Sequence, residues 1–189
     1  MPLAKATRDK LIAVGTIRIA AALAKRGLQQ QALPGLHPLS AFQDALVGEA
    51  SRSIDTIAQG GVLVVEGSAT SVPVALLARR RAAGVVSDGP LRNAAEIARA
   101  GLPAYHRPPS PAKELRVDAG DIVLGDRNGV MVIPAALADQ VAEEAVEAMA
   151  YEEFVAEQVS AGGGVYGLHI PSGEHARRAF AAWRRMKGR

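Results

Sequence analysis

The chain contains no cysteine among its 189 residues, which excludes disulfide bonds and thiolate metal sites. Aromatic residues make up only 4% of it, so binding of nucleic acid by base stacking is not expected. No apolar run approaches the ~20 residues of a membrane-spanning helix, and the N-terminal residues lack the layout of a signal peptide. We therefore expect a cytoplasmic protein that has no membrane partner.

Charge is spread unevenly over an otherwise ordinary composition. Hydrophobic residues make up 49% of the chain and charged residues 22%, as in folded globular proteins. The net charge is +3, and many basic residues are near the C-terminus: Arg177, Arg178, Arg184, Arg185, Lys187 and Arg189. They fit a surface for an acidic partner or nucleic acid, or, more ordinarily, a solvated helix face.

The N-terminal half shows alternating helix and strand patterns. Thr7 is the expected N-cap of a helix over residues 8–26 that Gly27 ends. A continuous apolar run at residues 62–65 predicts a strand covered on both faces. The elements expected after it are a helix over residues 71–82, a strand at 85–86, a helix over 91–100 and an edge strand at 102–106. Residues 41–61 have no clear periodicity.

The C-terminal half predicts a hairpin followed by helices. Asn128-Gly129 between two apolar runs is typical of a type I′ turn. Pro134 is expected to open a helix that ends at residue 160, before Gly162-Gly163-Gly164. Ser172 is the expected cap of a last helix. The pattern favours one α/β domain at residues 1–160, including the N-terminal helix, and a helical extension at residues 161–189.

The segment from Gly84 to Ile97 is the strongest functional signal. It reads as a short buried strand, a Gly/Pro turn, and a helix that begins near Arg92 and Asn93. Turns at the carboxyl ends of strands are where ligands bind in open α/β sheets. The backbone N–H groups at such a helix start attract anions.

Three segments carry a resemblance to a known family. Residues 84–97 resemble the signature G-V-x-x-D-G-x-x-R-D-x-x-x-I of the family that unites regulator of ribonuclease activity A (RraA) with the 4-hydroxy-4-methyl-2-oxoglutarate aldolases. Residues 120–134 resemble its G-D-x-x-x-G-D-x-x-G-V-x-V-x-P motif, and residues 151–158 are similar to a longer subgroup labelled ribonuclease activity regulators. The resemblance implies a swivelling β/β/α domain that assembles as homotrimers or hexamers with active sites between subunits.

The aldolase members suggest one function. They use a divalent metal, magnesium or manganese, to release pyruvate from 4-hydroxy-2-oxo acids or oxaloacetate, and the metal stabilises the enolate as a Lewis acid. The resemblance implies that Arg92 clamps the oxo-acid substrate and that Asp88 orients Arg92 and metal-bound waters, although Asp88 could equally cap turn amides. The pyruvate-binding loop of the family falls on Thr70, Ser71, Val72 and Pro73.

The chain departs from the family at several of these positions. Asn93 replaces the Asp that holds the metal through water, and a neutral amide favours a hard cation less than a carboxylate does. Thr70 and Ser71 replace the usual Gly and acidic residue, and Pro73 has no N–H to offer a carboxylate. We therefore expect a metal-dependent lyase with an impaired site, or else a non-catalytic regulator that binds a ribonuclease. A degenerate variant with neither function is the third interpretation.

The four histidines show no metal-ligand spacing. His37, His106, His169 and His175 are far apart in the sequence. We expect each to be a surface residue or a loop residue with its hydrogen bonds satisfied.

Overall fold

The computed structural model describes residues 3–66, 71–108, 116–162 and 174–188. The chain divides into two compact units, Met1–Ala145 and Val146–Arg189. Within the described ranges, no helix is long and apolar enough to cross a membrane.

Alternating strands and helices build the first unit. Its elements are α1 (Lys5–Ala24), β1 (His37–Pro38), β2 (Leu46–Ser51), β3 (Val62–Val65), α2 (Val74–Arg80), β4 (Gly84–Ser87), α3 (Ala94–Arg99), β5 (Ala104–His106), β6 (Ile122–Asp126) and β7 (Gly129–Ile133). A 3₁₀ turn (Ala135–Leu137) leads into α4 (Ala138–Ser160), which runs on into the second unit, and α5 is Glu174–Lys187.

Seven strands form one mixed sheet in the order β1-β5-β4-β3-β2-β6-β7. The four central strands β2 to β5 are parallel, whereas β1, β6 and β7 pair antiparallel to their neighbours. The predicted α/β class with N- and C-terminal helices is therefore confirmed. The apolar run Val62–Val65 is β3, at the centre of this sheet, as its uninterrupted hydrophobicity predicted.

The strands alternate their side chains between two hydrophobic clusters. Val86 and Tyr105 belong to one cluster, together with residues of β2, β3, β6 and β7. Val85 and Ala104 belong to the other, which α2 and α3 cover with Leu77 and Ile97. Each face of the parallel strands is therefore buried, which accounts for the lack of alternation in their sequences.

Helix α1 differs from the prediction at its start. Thr7 is not the N-cap: Ala4 precedes the helix, and the buried Thr7 hydroxyl donates a hydrogen bond to Asp139. The helix ends at Ala24, two residues before the predicted end. Gly27 nevertheless stops it as predicted, since Gly27 has a φ of 77° and the Leu28 N–H donates to the Leu23 carbonyl at 3.1 Å. This is the Schellman arrangement, which favours glycine.

Gly15 interrupts α1 at its middle with φ 72° and ψ 172°. The Asp126 carboxylate lies at this break and accepts 2.8 Å hydrogen bonds from both the Thr16 N–H and the Thr16 hydroxyl. Asp126 thus caps the second segment of α1 from a distant strand, satisfying a donor that the break would otherwise leave unpaired.

Two further predictions require correction. The strand at residues 104–106 is not at the sheet edge, because β1 pairs with it on its outer side. The hairpin turn is not type I′: Arg127 and Asn128 form it, and within the described residues Arg81 is the only non-glycine with positive φ. Instead, the Asn128 N–H donates to Asp126 at 2.7 Å, and Gly129 takes the positive φ.

Helices α2 and α3, near the candidate site, are shorter than predicted. Helix α2 begins at Val74 and α3 at Ala94, three residues later than predicted in each case. The unassigned region contains β2, whose pairing with β3 and β6 was not visible as a sequence pattern. The predicted Ser172 cap and Gly163-Gly164 lie outside the described residues.

The second unit contains an aromatic cluster. Phe154 and Trp183 are almost fully buried, and their ring centroids lie 5.9 Å apart. Phe180 stacks on Trp183, and Tyr151 meets Phe180 edge to face. Such ring pairs add stability beyond their buried area.

Candidate functional site

The carboxyl ends of the four parallel strands lie on one edge of the sheet. A charged residue follows each strand directly: Arg52 after β2, Glu66 after β3, Asp88 after β4 and Arg107 after β5. Ligands of parallel α/β sheets bind at this edge. The Gly84–Ile97 segment therefore reaches the region of the sheet that its pattern indicated.

A cleft of about 370 Å³ opens beside the end of β3. Arg52, Ile54, Glu66 and Pro73 contribute to its walls. The Arg52 guanidinium lies 2.6 Å from the Glu66 carboxylate and also donates to the Val117 carbonyl at 2.9 Å. The charges at the mouth of the cleft are thus already paired with each other.

The turn after β4 is held closely by its own backbone and by β3. Asp88 is 5% exposed, and its backbone N–H donates to the Val65 carbonyl at 3.2 Å. The buried Ser87 hydroxyl donates to the Gly89 carbonyl at 3.0 Å and accepts from the Gly89 N–H at 3.3 Å. The first glycine of the motif has a packing role, since a Cβ on Gly84 would lie 2.2 Å from the Pro103 carbonyl oxygen.

Arg92 lies on the solvent side of the same turn. Its side chain is exposed, two residues before α3 begins. A guanidinium in this position can reach a carboxylate or phosphate in solution, because its planar donors suit bidentate contacts. The structure thus places the predicted substrate arginine on the surface, close in sequence to the buried Asp88.

Asn93 uses both ends of its side-chain amide to hold the preceding loop. Its Oδ1 accepts the Val72 N–H at 3.0 Å, and its Nδ2 donates to the Val72 carbonyl at 2.7 Å. The same Nδ2 lies 3.0 Å from the Glu96 carboxylate. The amide therefore mimics a strand partner, pairing with one residue through both a donor and an acceptor.

Two of the four residues of the predicted pyruvate-binding loop, Val72 and Pro73, have no free backbone donor. The N–H of the buried Val72 is taken by Asn93, and Pro73 has none. The Pro73 carbonyl accepts from Leu76 and Leu77, both at 3.1 Å, at the start of α2. Ser71 is exposed, and Thr70 lies outside the described residues.

No protein-family model matches the sequence, and no curated protein matches it significantly. Solved structures do match. An uncharacterized protein from Pseudomonas syringae pv. tomato str. DC3000 superposes with a TM-score of 0.75 at 20% identity, covering 89% of this chain and 95% of that one. RraAS2 of Streptomyces coelicolor, described as an unusual member of the RNase ES inhibitor RraA protein family, superposes with a TM-score of 0.69 at 21% identity over 82% and 97% of the two chains. The chain has the RraA-like fold.

A third structure with the same fold is described as belonging to novel cellulases from microbes associated with the gut ecosystem. It superposes with a TM-score of 0.70 at 19% identity, covering 81% of this chain and 88% of that chain. Similarity at this identity concerns the fold, and proteins that share a fold can differ in function. Function must therefore be argued from the site.

The RraA-like resemblance implies a divalent metal, and the residues present do not fit it. A metal-bound water donates hydrogen bonds, so its partner must accept. Asn93 Nδ2 can only donate, and Oδ1 has one of its two lone pairs taken by the Val72 N–H. The amide also carries no negative charge to offset that of a hard cation, which a carboxylate would supply. The described ranges also contain no group of three or more His, Asp or Glu side chains placed to share one ion.

Sequence reasoning missed the pairing of Asn93 with Val72. The signal for it was the single-atom change from Asp to Asn, because only an amide can both donate to a carbonyl and accept from an N–H. The Arg52–Glu66 ion pair was missed because β2 itself was not recognised.

Proposed function

We propose that this chain is a non-catalytic RraA-like regulator that acts by binding another protein, with a ribonuclease as the partner. The observation that carries the proposal is the pairing of the Asn93 amide with both backbone groups of Val72. This pairing occupies the residue that would hold the metal and a loop N–H that would hold the substrate carboxylate. A structural neighbour, RraAS2, is described as a member of an RNase inhibitor family.

The chemistry of a metal-dependent lyase explains why the pairing of Asn93 with Val72 bears on function. Cleavage to pyruvate leaves an enolate, which needs a Lewis acid or fixed donors to stabilise its charge. Replacing Asn93 by the metal-holding Asp of the family would break the hydrogen bond to the carbonyl of the buried Val72, because a carboxylate cannot donate it. Protein binding requires none of these changes at the site.

The test combines two assays of the full chain. We expect no pyruvate from oxaloacetate or 4-hydroxy-4-methyl-2-oxoglutarate above the free-metal blank, with magnesium or manganese against EDTA. We also expect dose-dependent slowing of RNA cleavage by an RNase E-type ribonuclease, and retention of that enzyme on the immobilised protein. Metal-dependent turnover, or unchanged RNA cleavage together with no retention, would contradict the proposal.

An impaired metal-dependent lyase for small oxo-acids remains the second candidate. The exposure of Arg92 and the position of Asp88 at the carboxyl end of β4 favour it. This function predicts activity that is lost in Arg92→Ala and raised in Asn93→Asp. Under the regulator proposal, both variants stay as inactive as the wild type.

We further propose that the chain assembles as a homotrimer or hexamer, as the family resemblance implies. Sedimentation equilibrium across a range of protein concentrations measures this directly. A monomer at tens of micromolar would overturn the assembly proposal and leave the fold assignment unchanged.

A further inference from the structure

Two histidines that are distant in the sequence lie opposite each other in the sheet. His37 of β1 is the antiparallel register partner of His106 of β5. Paired residues project to the same face of a sheet, with Cβ atoms about 4.5–5.5 Å apart. Leu39 and Ala104, two residues along the same pair, belong to the cluster that α2 and α3 cover, so the histidines lie at the carboxyl edge of that face.

One of these imidazoles has an unsatisfied nitrogen. His106 Nδ1 is buried and makes no hydrogen bond within the described residues, although the His106 side chain as a whole is partly exposed. A buried polar atom without a partner is costly and calls for an explanation, such as a bound ion. His37 is exposed and stands next to it at the sheet edge.

We propose that His37 and His106 together bind a late divalent transition metal, such as Zn²⁺ or Cu²⁺. Imidazole nitrogens suit these ions, whereas Mg²⁺ prefers oxygen ligands. In a tetrahedral zinc site with Zn–N bonds of about 2.0–2.1 Å, two nitrogens are roughly 3.3 Å apart, which a cross-strand pair can reach. Water would complete the coordination. The proposed ligands belong to β1 and β5, so this site differs in its residues from the one that the RraA-like resemblance implies at Asn93.

Among the described residues, two polar neighbours of His106 are bonded elsewhere. Ser87 follows His106 in the strand register, but its hydroxyl is bonded within the turn to Gly89. Arg107, the nearest cation in sequence, donates to the Pro34 carbonyl at 2.9 Å. Successive side chains of an extended chain point to opposite faces, so Arg107 does not share the face of His106.

A metal at this position would tie the shortest strand to the sheet. Strand β1 has two residues and leads into the loop that presents Phe42, which is 93% exposed. Bridging His37 to His106 would hold this loop against β5. The inference is independent of the proposed regulatory function, since it depends only on the strand register and the unsatisfied nitrogen.

The test uses the tag-free full chain and the metal alone. Calorimetric titration with Zn²⁺ should give one site per chain, and electron paramagnetic resonance with Cu²⁺ should show coupling to two nitrogens. His37→Gln should weaken binding at least about tenfold and reduce the coupling to one nitrogen, because it removes a direct ligand. Mg²⁺ should neither bind nor compete.

The control is His175→Gln, an exposed histidine of α5, which should change the affinity by less than about twofold. His106→Gln should match His37→Gln if its circular dichroism shows that it folds. Because His37 is exposed, His37→Gln decides the question even if His106→Gln does not fold. No saturable Zn²⁺ or Cu²⁺ binding, or binding that survives His37→Gln, would overturn the proposal.

Discussion

The side chain of Asn93 and the backbone of Val72 are joined by two hydrogen bonds of 2.7 and 3.0 Å that run in opposite directions. One residue starts α3 and the other lies in the loop before α2, 21 positions away. The pair therefore fixes the distance between two connections at the carboxyl edge of the sheet. An aspartate could make only one of the two bonds, because a carboxylate cannot donate to the Val72 carbonyl.

Asn93→Asp should therefore destabilise the protein. The change removes the donor to the Val72 carbonyl and places a negative charge near that oxygen and the Glu96 carboxylate. We expect a loss of about 1–3 kcal/mol in the free energy of unfolding, measured by urea denaturation at neutral pH. Divalent metal should not restore it.

Asn128→Asp is the matched control for this substitution. Asn128 is exposed in the hairpin turn and bonds to Asp126 through its backbone N–H. We expect its stability to change by no more than about 0.5 kcal/mol. Equal losses of unfolding free energy in the two variants would show that the hydrogen bonds between Asn93 and Val72 add nothing to stability.

Gly15→Ala should destabilise the first unit through the backbone of α1. The conformation at Gly15, φ 72° and ψ 172°, is accessible almost only to glycine, and a Cβ there would lie 3.0 Å from Asp126 Oδ2. We expect a cost of about 1–3 kcal/mol in thermal or urea unfolding. Gly27→Ala, where a Cβ would contact nothing within 4 Å, should cost only about 1–2 kcal/mol. A smaller loss at Gly15 than at Gly27 would contradict this account.

The elements that the sequence predicted well are those with strong local signals. The apolar run of β3, the glycine that ends α1 and the proline before α4 each act through neighbouring residues. Strand β2 was missed because its burial depends on pairing with β3 and β6, both distant in the sequence. The break at Gly15 was missed because Asp126, which stabilises it, lies 110 residues away from Thr16.

The candidate site was predictable in position and less so in detail. A strand-turn-helix pattern is local, so the motif predicted that Asp88 and Arg92 lie in the connection between β4 and α3. What Asn93 binds could not be predicted, because Val72 approaches it only through the tertiary packing of α2 and α3. The pairing of His37 with His106 likewise depends on strand register, which spacing in the sequence does not reveal.

Glu144→Gln should weaken the pH dependence of stability on the acid side. The hydrogen bond from Arg26 lowers the pKa of Glu144 below its usual 4.5, and the same contact raises the pKa of Arg26. A lowered folded-state pKa means that the ionised carboxylate favours the folded chain. This contribution is present above pH 4.5 and is lost as the pH falls through the folded-state pKa.

Urea unfolding at a series of pH values between neutrality and pH 3 measures this effect. The wild type should lose more stability than Glu144→Gln over the acid part of that range. Asp55→Asn, at an exposed position, is the matched change of charge. If Glu144→Gln follows the wild-type curve throughout, the ion pair with Arg26 does not contribute to folding.

Phe154→Ala should unfold the second unit at lower denaturant concentration, and the chain provides a selective probe for this. Trp183 is the only tryptophan, so its fluorescence reports on the second unit alone. Removing the Phe154 ring deletes contacts to Tyr151, Phe180 and Trp183 and leaves a cavity, at a cost of about 3–5 kcal/mol. Val159→Ala, on the exposed side of α4, should leave the fluorescence transition within about 0.5 kcal/mol of the wild type. An unchanged fluorescence midpoint in Phe154→Ala would mean that this cluster does not hold α5 to the second half of α4.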